Sequence, residues 1–118
     1  MTDHPVSILK CLADETRIRL LLLIAHEGEL CVCELTEALD QGQSKVSRHL
    51  AQLRACGLLA DRRSGQWVYY SLASKLPGWV SGLLQTLNTE YEAWLTADRQ
   101  RLASIRCRAT TEMTPVCD

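Results

Sequence analysis

A chain of 118 residues with 47% hydrophobic content is long enough to bury one core without cross-links, so a single compact domain is expected. Its net charge of −1 excludes a uniformly basic nucleic-acid coat, and no apolar run approaches the roughly 18 residues of a membrane-spanning helix. The opening MTDHPVS lacks the regions of a secretory signal, so a cytoplasmic protein is expected, with its six cysteines reduced, buried or ligating rather than forming a disulfide framework.

In chain order, Val6, Ile8, Leu9 and Leu12 predict a short first helix. A second spans LADETRIRLLLLIAHEG, with Asp14 as N-cap, Ile18, Leu21, Leu22 and Ala25 at helical spacing and Gly28 as the stop. A third, from about Leu30 to Leu39, buries Leu30, Leu35, Ala38 and Leu39, and DQGQS forms the following turn. Ser44 is then expected to cap a fourth helix over residues 44–55. Val46, Leu50 and Leu53 face its core, while Lys45, Ser47, Arg48, His49 and Gln52 lie on the outer faces. Leu58–Arg62 and Gln66–Leu72 flank RSG and read as a hairpin.

Beyond Pro77 one long helix is expected, its stripe made of Trp79, Val80, Leu83, Leu84, Leu87, Tyr91, Trp94, Leu95 and Leu102. That stripe exceeds what so small a domain can bury. Trp79, Leu83, Leu87, Tyr91 and Trp94 are therefore expected to form a homodimer interface together with the first helix. From residue 106 the chain, RCRATTEMTPVCD, lacks periodicity. The expected organisation is a domain over 1–105 and a flexible tail over 106–118.

Charge is unevenly placed. Residues 1–40 carry eight acidic and three basic side chains, whereas residues 41–70 carry Lys45, Arg48, Arg54, Arg62 and Arg63 against the single Asp61. A local basic surface of this kind suits phosphate contact. Two short helices joined by a glycine-containing turn and followed by a hairpin predict a mainly α fold with a β-hairpin, the winged helix-turn-helix. Gln43, Ser44, Lys45, Ser47, Arg48 and His49 would then meet base edges and phosphates, and Arg62 and Arg63 would contact backbone or minor groove from the wing.

Cys31 and Cys33 stand one residue apart just ahead of this element. Adjacent thiolates are soft ligands that capture thiophilic ions by effective concentration and disfavour Mg²⁺ or Ca²⁺. A zinc site would need four ligands, and His4, His26 and His49 show no ligand spacing. At roughly 100° per residue, two side chains at i and i+2 of an ideal helix point about 200° apart, so one ion would have to re-aim the first turn to bridge them. The same geometry counts against a disulfide between them. Cys11 and Cys56 border apolar helix faces and are expected to pack there; Cys107 and Cys117, in the polar tail, are candidates for a third sulfur.

The blocks LADETRIRLLLL, ELCVCELTEALDQGQSKVSRHLAQLRACGLL and GQWVYYSL resemble the arsenical-resistance repressors of the ArsR/SmtB metalloregulator family, over nearly the whole chain. The resemblance implies a homodimeric winged-helix repressor that holds an imperfect inverted repeat of double-stranded operator DNA. It needs no cofactor for that, and trivalent arsenic or antimony at the start of the third helix releases it. The family's C-x-C-x-x-C pattern is matched by Cys31 and Cys33, but its third position is Thr36. A repressor for Cd²⁺ or Pb²⁺, or a thiol redox switch, are the alternatives. Enzymatic chemistry is not expected, because there is no C-x-x-C, no βαβ pattern and no Gly-rich cofactor loop.

Overall fold

The computed structural model describes residues 4–112, with side chains through Ile105. Cys107 and Cys117, the candidate third sulfurs, lie outside the residues whose side chains are described.

The first helix, α1 (Pro5–Leu12), begins with proline at its first position, where a missing N–H costs nothing. It buries Ile8, Cys11 and Leu12. The second, α2 (Glu15–Glu27), starts at Asp14, whose carboxylate accepts the Arg17 N–H at 3.1 Å, and stops at Gly28 with φ 95°, a conformation only glycine adopts without strain. Leu20 to Ile24 are all fully buried. Five consecutive buried side chains mean that α2 is enclosed on every side, and the rest of the fold is arranged around it.

A short strand, β1 (Glu29–Cys31), precedes α3 (Val32–Leu39). The expected helix from Leu30 is therefore shortened, because Leu30 and Cys31 pair with Tyr70 and Tyr69 as strand residues. The recognition element, α4 (Gln43–Ala55), is capped by Gly42 rather than Ser44, so Ser44 sits inside the first turn. Val46, Leu50 and Leu53 are buried as their spacing requires.

The wing consists of β2 (Leu59–Ser64) and β3 (Trp67–Leu72), antiparallel with Ser64 opposite Trp67. This leaves a two-residue turn whose first residue, Gly65, has φ 62°. The first strand runs two residues closer to the turn than expected, to Ser64, while the second starts one residue later, at Trp67. β3 is the central strand of the sheet, in the order β1-β3-β2.

The expected single C-terminal helix is broken. It forms α5 (Gly78–Glu90), a 3₁₀ turn (Ala93–Leu95) and α6 (Thr96–Glu112), with Tyr91 leaving helical geometry at φ −117°, ψ 33°. The stripe divides accordingly. Val80, Leu84, Leu95 and Leu102 enter the core, Leu83 and Leu87 pack partly against it, and Trp79, Tyr91 and Trp94 remain exposed. The break lets α6 return onto α3, where Arg101 Nε donates to the Ala38 carbonyl at 2.7 Å.

Candidate nucleic-acid interface and adjoining sulfur site

Gln43, Ser44, Lys45 and Arg48 are exposed on the first turns and outer face of α4, and Ser47 is partly buried. Among the described residues no side chain caps the N-terminus of α4, so its first backbone N–H groups stand at a positive helix end suited to a phosphate. His49 departs from the expected outer position. It is only 6% exposed, and its Nδ1 accepts Arg17 Nε at 3.2 Å. Burial, with Arg17, Arg48 and Lys45 nearby, holds the imidazole below its ordinary pKa against the opposing pull of Asp14. The ring is thus a neutral seat for α4 on α2, with position 49 turned inward by 100° from Arg48 on an ideal helix of roughly that angular step.

On the wing, Arg62 and Arg63 are exposed. Arg62 is engaged with Glu29: Nη2 and Nε reach its two carboxylate oxygens at 2.8 and 3.1 Å. The guanidinium also lies 4.6 Å from the centroid of the Tyr69 ring. Its hydrogen bond draws the Glu29 carboxyl below the usual carboxylate range. Sequence reasoning missed Glu29, whose role depends on β1 pairing with β3.

The sulfur pair sits where β1 becomes α3. Cys31 is the N-cap, with extended backbone at φ −88°, ψ 162°, and its N–H donates to Glu34 Oε1 at 3.0 Å. Because Cys31 precedes the helix, the 200° separation expected for two helical positions does not apply. The sulfurs of Cys31 and Cys33 converge to 2.7 Å and stand paired with each other rather than as free thiols, so the expectation that their spacing disfavours a disulfide does not hold. The C-x-x-E spacing from Cys31 to Glu34 was the available signal, since an acidic residue at the third helical position commonly reaches back to the cap. Thr36 is turned to its own helix, Oγ1 donating to the Val32 carbonyl at 2.8 Å. Cys33 and Thr36 line an open depression of about 500 Å³ that continues past Asp40 and Gln41 to Gly42, the cap of α4. Among the described residues no group of three or more His, Cys, Asp or Glu side chains is arranged around a common metal position, so the described donor set is two sulfurs.

Two features distant from these motifs hold them in place. Asp98, 2% exposed, accepts Arg19 through both oxygens at 2.6 and 2.8 Å and Arg101 Nη2 at 2.8 Å. Arg19 also donates to the Leu39 carbonyl at 3.3 Å. Beside α4, burial, together with the neighbouring Cys56, pushes the Cys11 thiol up to about 11, and its sulfhydryl donates to the Gln52 carbonyl at 3.9 Å. Cys11 and Cys56 pack with the core as expected.

A helix pair presenting a basic N-terminal face, backed by a three-stranded sheet whose two long strands form a wing, defines a winged-helix DNA-binding regulator. The family model described as bacterial regulatory protein, arsR family, matches residues 14–61. The chain is 56% identical over 101 residues to the arsenic resistance transcriptional regulator ArsR1 of Pseudomonas putida, covering 86% of this chain and 79% of that one. It is 46% identical to the arsenical resistance operon repressor of Escherichia coli, covering 86% and 82% of the two chains. The solved structure of reduced HlyU from Vibrio cholerae superposes with a TM-score of 0.66 at 37% identity, covering 73% of this chain and 86% of that one. The chain belongs to the ArsR family of bacterial transcriptional regulators, which bind DNA and are not enzymes. Among the described residues no helix is long and apolar enough to cross a membrane.

Proposed function

We propose that this protein is a cytoplasmic, homodimeric repressor of an arsenic-resistance operator, released when trivalent arsenic or antimony binds Cys31 and Cys33. The observation that carries the reading is the 2.7 Å approach of the two sulfurs at the junction of β1 and α3. The names of its relatives support the class of inducer. Once a small-molecule thiol has reduced the pair to two thiols, itself becoming a disulfide, the hydroxide of trivalent arsenic reacts with both by losing two waters, leaving one coordination position for hydroxide, a small-molecule thiol, or Cys107 or Cys117.

The placement of the pair supplies the coupling. Cys31 is opposite Tyr69 in the wing sheet, and α3 leads through Asp40–Gly42 into α4. An ion that draws both sulfurs onto itself acts on the wing and on the support of the recognition helix together, favouring a state that no longer fits the operator. In the bound state Gln43, Ser44, Lys45, Ser47 and Arg48 read the major groove from α4, while Arg62 and Arg63 meet phosphates. His49 contributes by seating α4. Two such heads fit an imperfect inverted repeat with half-site centres about one helical turn, or a multiple, apart. The exposed Trp79, Tyr91 and Trp94, with Val6 and Leu9 of α1 at 51% and 49% exposure, form the dimer contact, Leu83 and Leu87 lying beneath them. Trp79→Glu with Trp94→Glu should give monomers on sedimentation that bind the operator poorly.

The test is a titration of the operator-bound protein, followed by fluorescence anisotropy, with arsenite, antimonite, Cd²⁺, Zn²⁺ and peroxide in separate runs. Release by arsenite or antimonite at the lowest concentration is expected; release by Cd²⁺ alone would replace the inducer. The 2.7 Å contact also favours a second reading, in which a peroxide oxidises the pair to a disulfide and is itself reduced to water or alcohol. Release by peroxide but not by arsenite would select it.

A further inference from the structure

We propose that Glu29 and Tyr69 aim the Arg62 guanidinium at the operator backbone, and that a ligand on Cys31 and Cys33 weakens DNA binding by disturbing that aim. The inference rests on the sensor and DNA-contact roles proposed above and supplies the connection between them. The register sets Cys31, Tyr69 and Arg62 in one row across the sheet, with Tyr69 in the middle. Glu29 stands two residues before Cys31 on β1, so it shares the face of that row. From there its two carboxylate oxygens accept Arg62 Nη2 at 2.8 Å and Nε at 3.1 Å. The guanidinium also lies over the Tyr69 ring, 4.6 Å from its centroid. The two props constrain different motions: the ring sets the plane of the guanidinium, and the carboxylate fork sets its rotation within that plane.

With Arg62 at 55% and Glu29 at 37% side-chain exposure, this ion pair adds little to stability. What it supplies is orientation. A long side chain that must be ordered on meeting a phosphate loses rotamer freedom at that moment, and Arg62 is ordered beforehand. The fork occupies the Nε and Nη2 edge, so the Nη1 side of the plane is left for a phosphate. Arg63, the next residue, belongs to the row of Val68 and so to the opposite face. The wing thus carries a second arginine outside the reach of Glu29. Both props of Arg62 are attached to the sensor, Glu29 through the backbone of β1 and Tyr69 as the cross-strand partner of Cys31. A ligand that redirects the Cys31 sulfur shifts β1 against β3, and Arg62 loses its aim. The sign agrees with release, because occupancy of the sulfurs lowers affinity for DNA.

The experiment uses the full chain, with a thiol reductant present, and a labelled DNA duplex that the natural chain has selected from a randomised pool. Fluorescence anisotropy gives the affinities. Glu29→Gln should weaken binding roughly two- to fivefold, the range of an exposed but well-formed pair, and by the same factor when Arg63→Ala is already present. In an Arg62→Ala background it should weaken binding no further. Arg62→Lys, which keeps the charge but loses the fork, should match Glu29→Gln and gives a second reading if that variant does not fold. Tighter or unchanged binding by Glu29→Gln, or an equal loss with and without Arg62, overturns the aiming role. Arsenite added to the same samples tests the connection to the sensor. The ratio of affinities without and with arsenite should be two- to fivefold smaller in Glu29→Gln than in the natural chain, since that part of the response is already spent. Equal ratios overturn the connection. A natural chain that ignores arsenite would instead count against the Cys31–Cys33 reading, and the arsenite-free comparison would still decide the role of Glu29.

Discussion

The two ends of α3 are built in opposite ways. At its start, Cys31 is held by contacts close in the chain, its N–H on Glu34 and its sulfur against that of Cys33, and by a three-residue strand. At its end, the Ala38 and Leu39 carbonyls are gripped by Arg101 and Arg19, both anchored on the buried Asp98. Asp40 closes the helix with φ 55°, and its N–H donates to the Glu37 carbonyl at 3.1 Å. A ligand that draws the two sulfurs onto itself therefore acts first on contacts local to the chain, while the other end is anchored by side chains from distant helices. The comparison teaches that the proposed sensor cysteines lie at the end built from local contacts, whereas the end anchored by Asp98 preserves the corner from which α4 projects.

Breaking the pinned end should have the largest effect. Asp98→Ala leaves the guanidinium of Arg19, only 13% exposed, without its main partner, and a broken buried pair of this kind costs about 3–5 kcal/mol. Urea unfolding should show the loss, while arsenite should still bind the Cys31–Cys33 pair in whatever fraction stays folded. Preserved stability would mean that α6 does not pin α3.

Breaking the cysteine end should leave stability and operator affinity nearly intact but remove the response. Cys31→Ser with Cys33→Ser is expected to hold the operator at arsenite concentrations that fully release the natural protein, measured by anisotropy. Thr36→Cys sharpens the same end. It places a third sulfur on the depression that Cys33 already lines, and the midpoint of release should fall roughly tenfold, equivalent to about 1.4 kcal/mol. No change would indicate that a sulfur from residues 106–118 already completes the shell.

The smallest expected effect concerns how α4 is seated. The folded state holds the His49 pKa below 6.5, so folded protein binds fewer protons than unfolded protein. Stability therefore rises with pH across the window that ends at the unfolded value, is complete above it, and is lost as pH falls toward the depressed folded value. Protonation also sets two cations against each other at the Arg17 contact. Thermal melts should show a lower midpoint at mildly acid pH, and His49→Gln should flatten that part of the profile.

Local pattern determined much of this protein. The 3.6-residue spacing of Val46, Leu50 and Leu53, the Asp14 cap, the Gly28 stop and the alternation from Trp67 to Leu72 placed the helix-turn-helix and the wing. Each of these signals is a relation between residues close in the chain, where backbone geometry alone decides which side chains share a face. The juxtaposed cysteines at 31 and 33 were equally visible. Their convergence was not, because it depends on β1 pairing with a strand about 40 residues further on, which draws Cys31 out of helical geometry. Tertiary structure likewise turned His49 inward onto Arg17, paired Arg62 with Glu29, and divided the C-terminal stripe at Tyr91 so that Asp98 could meet Arg19 across 79 residues. In each case the deciding energy is that of a charge or hydrogen-bonding group finding its partner once water has been removed. No periodicity encodes that pairing, because the partners become neighbours only when the core has closed around α2.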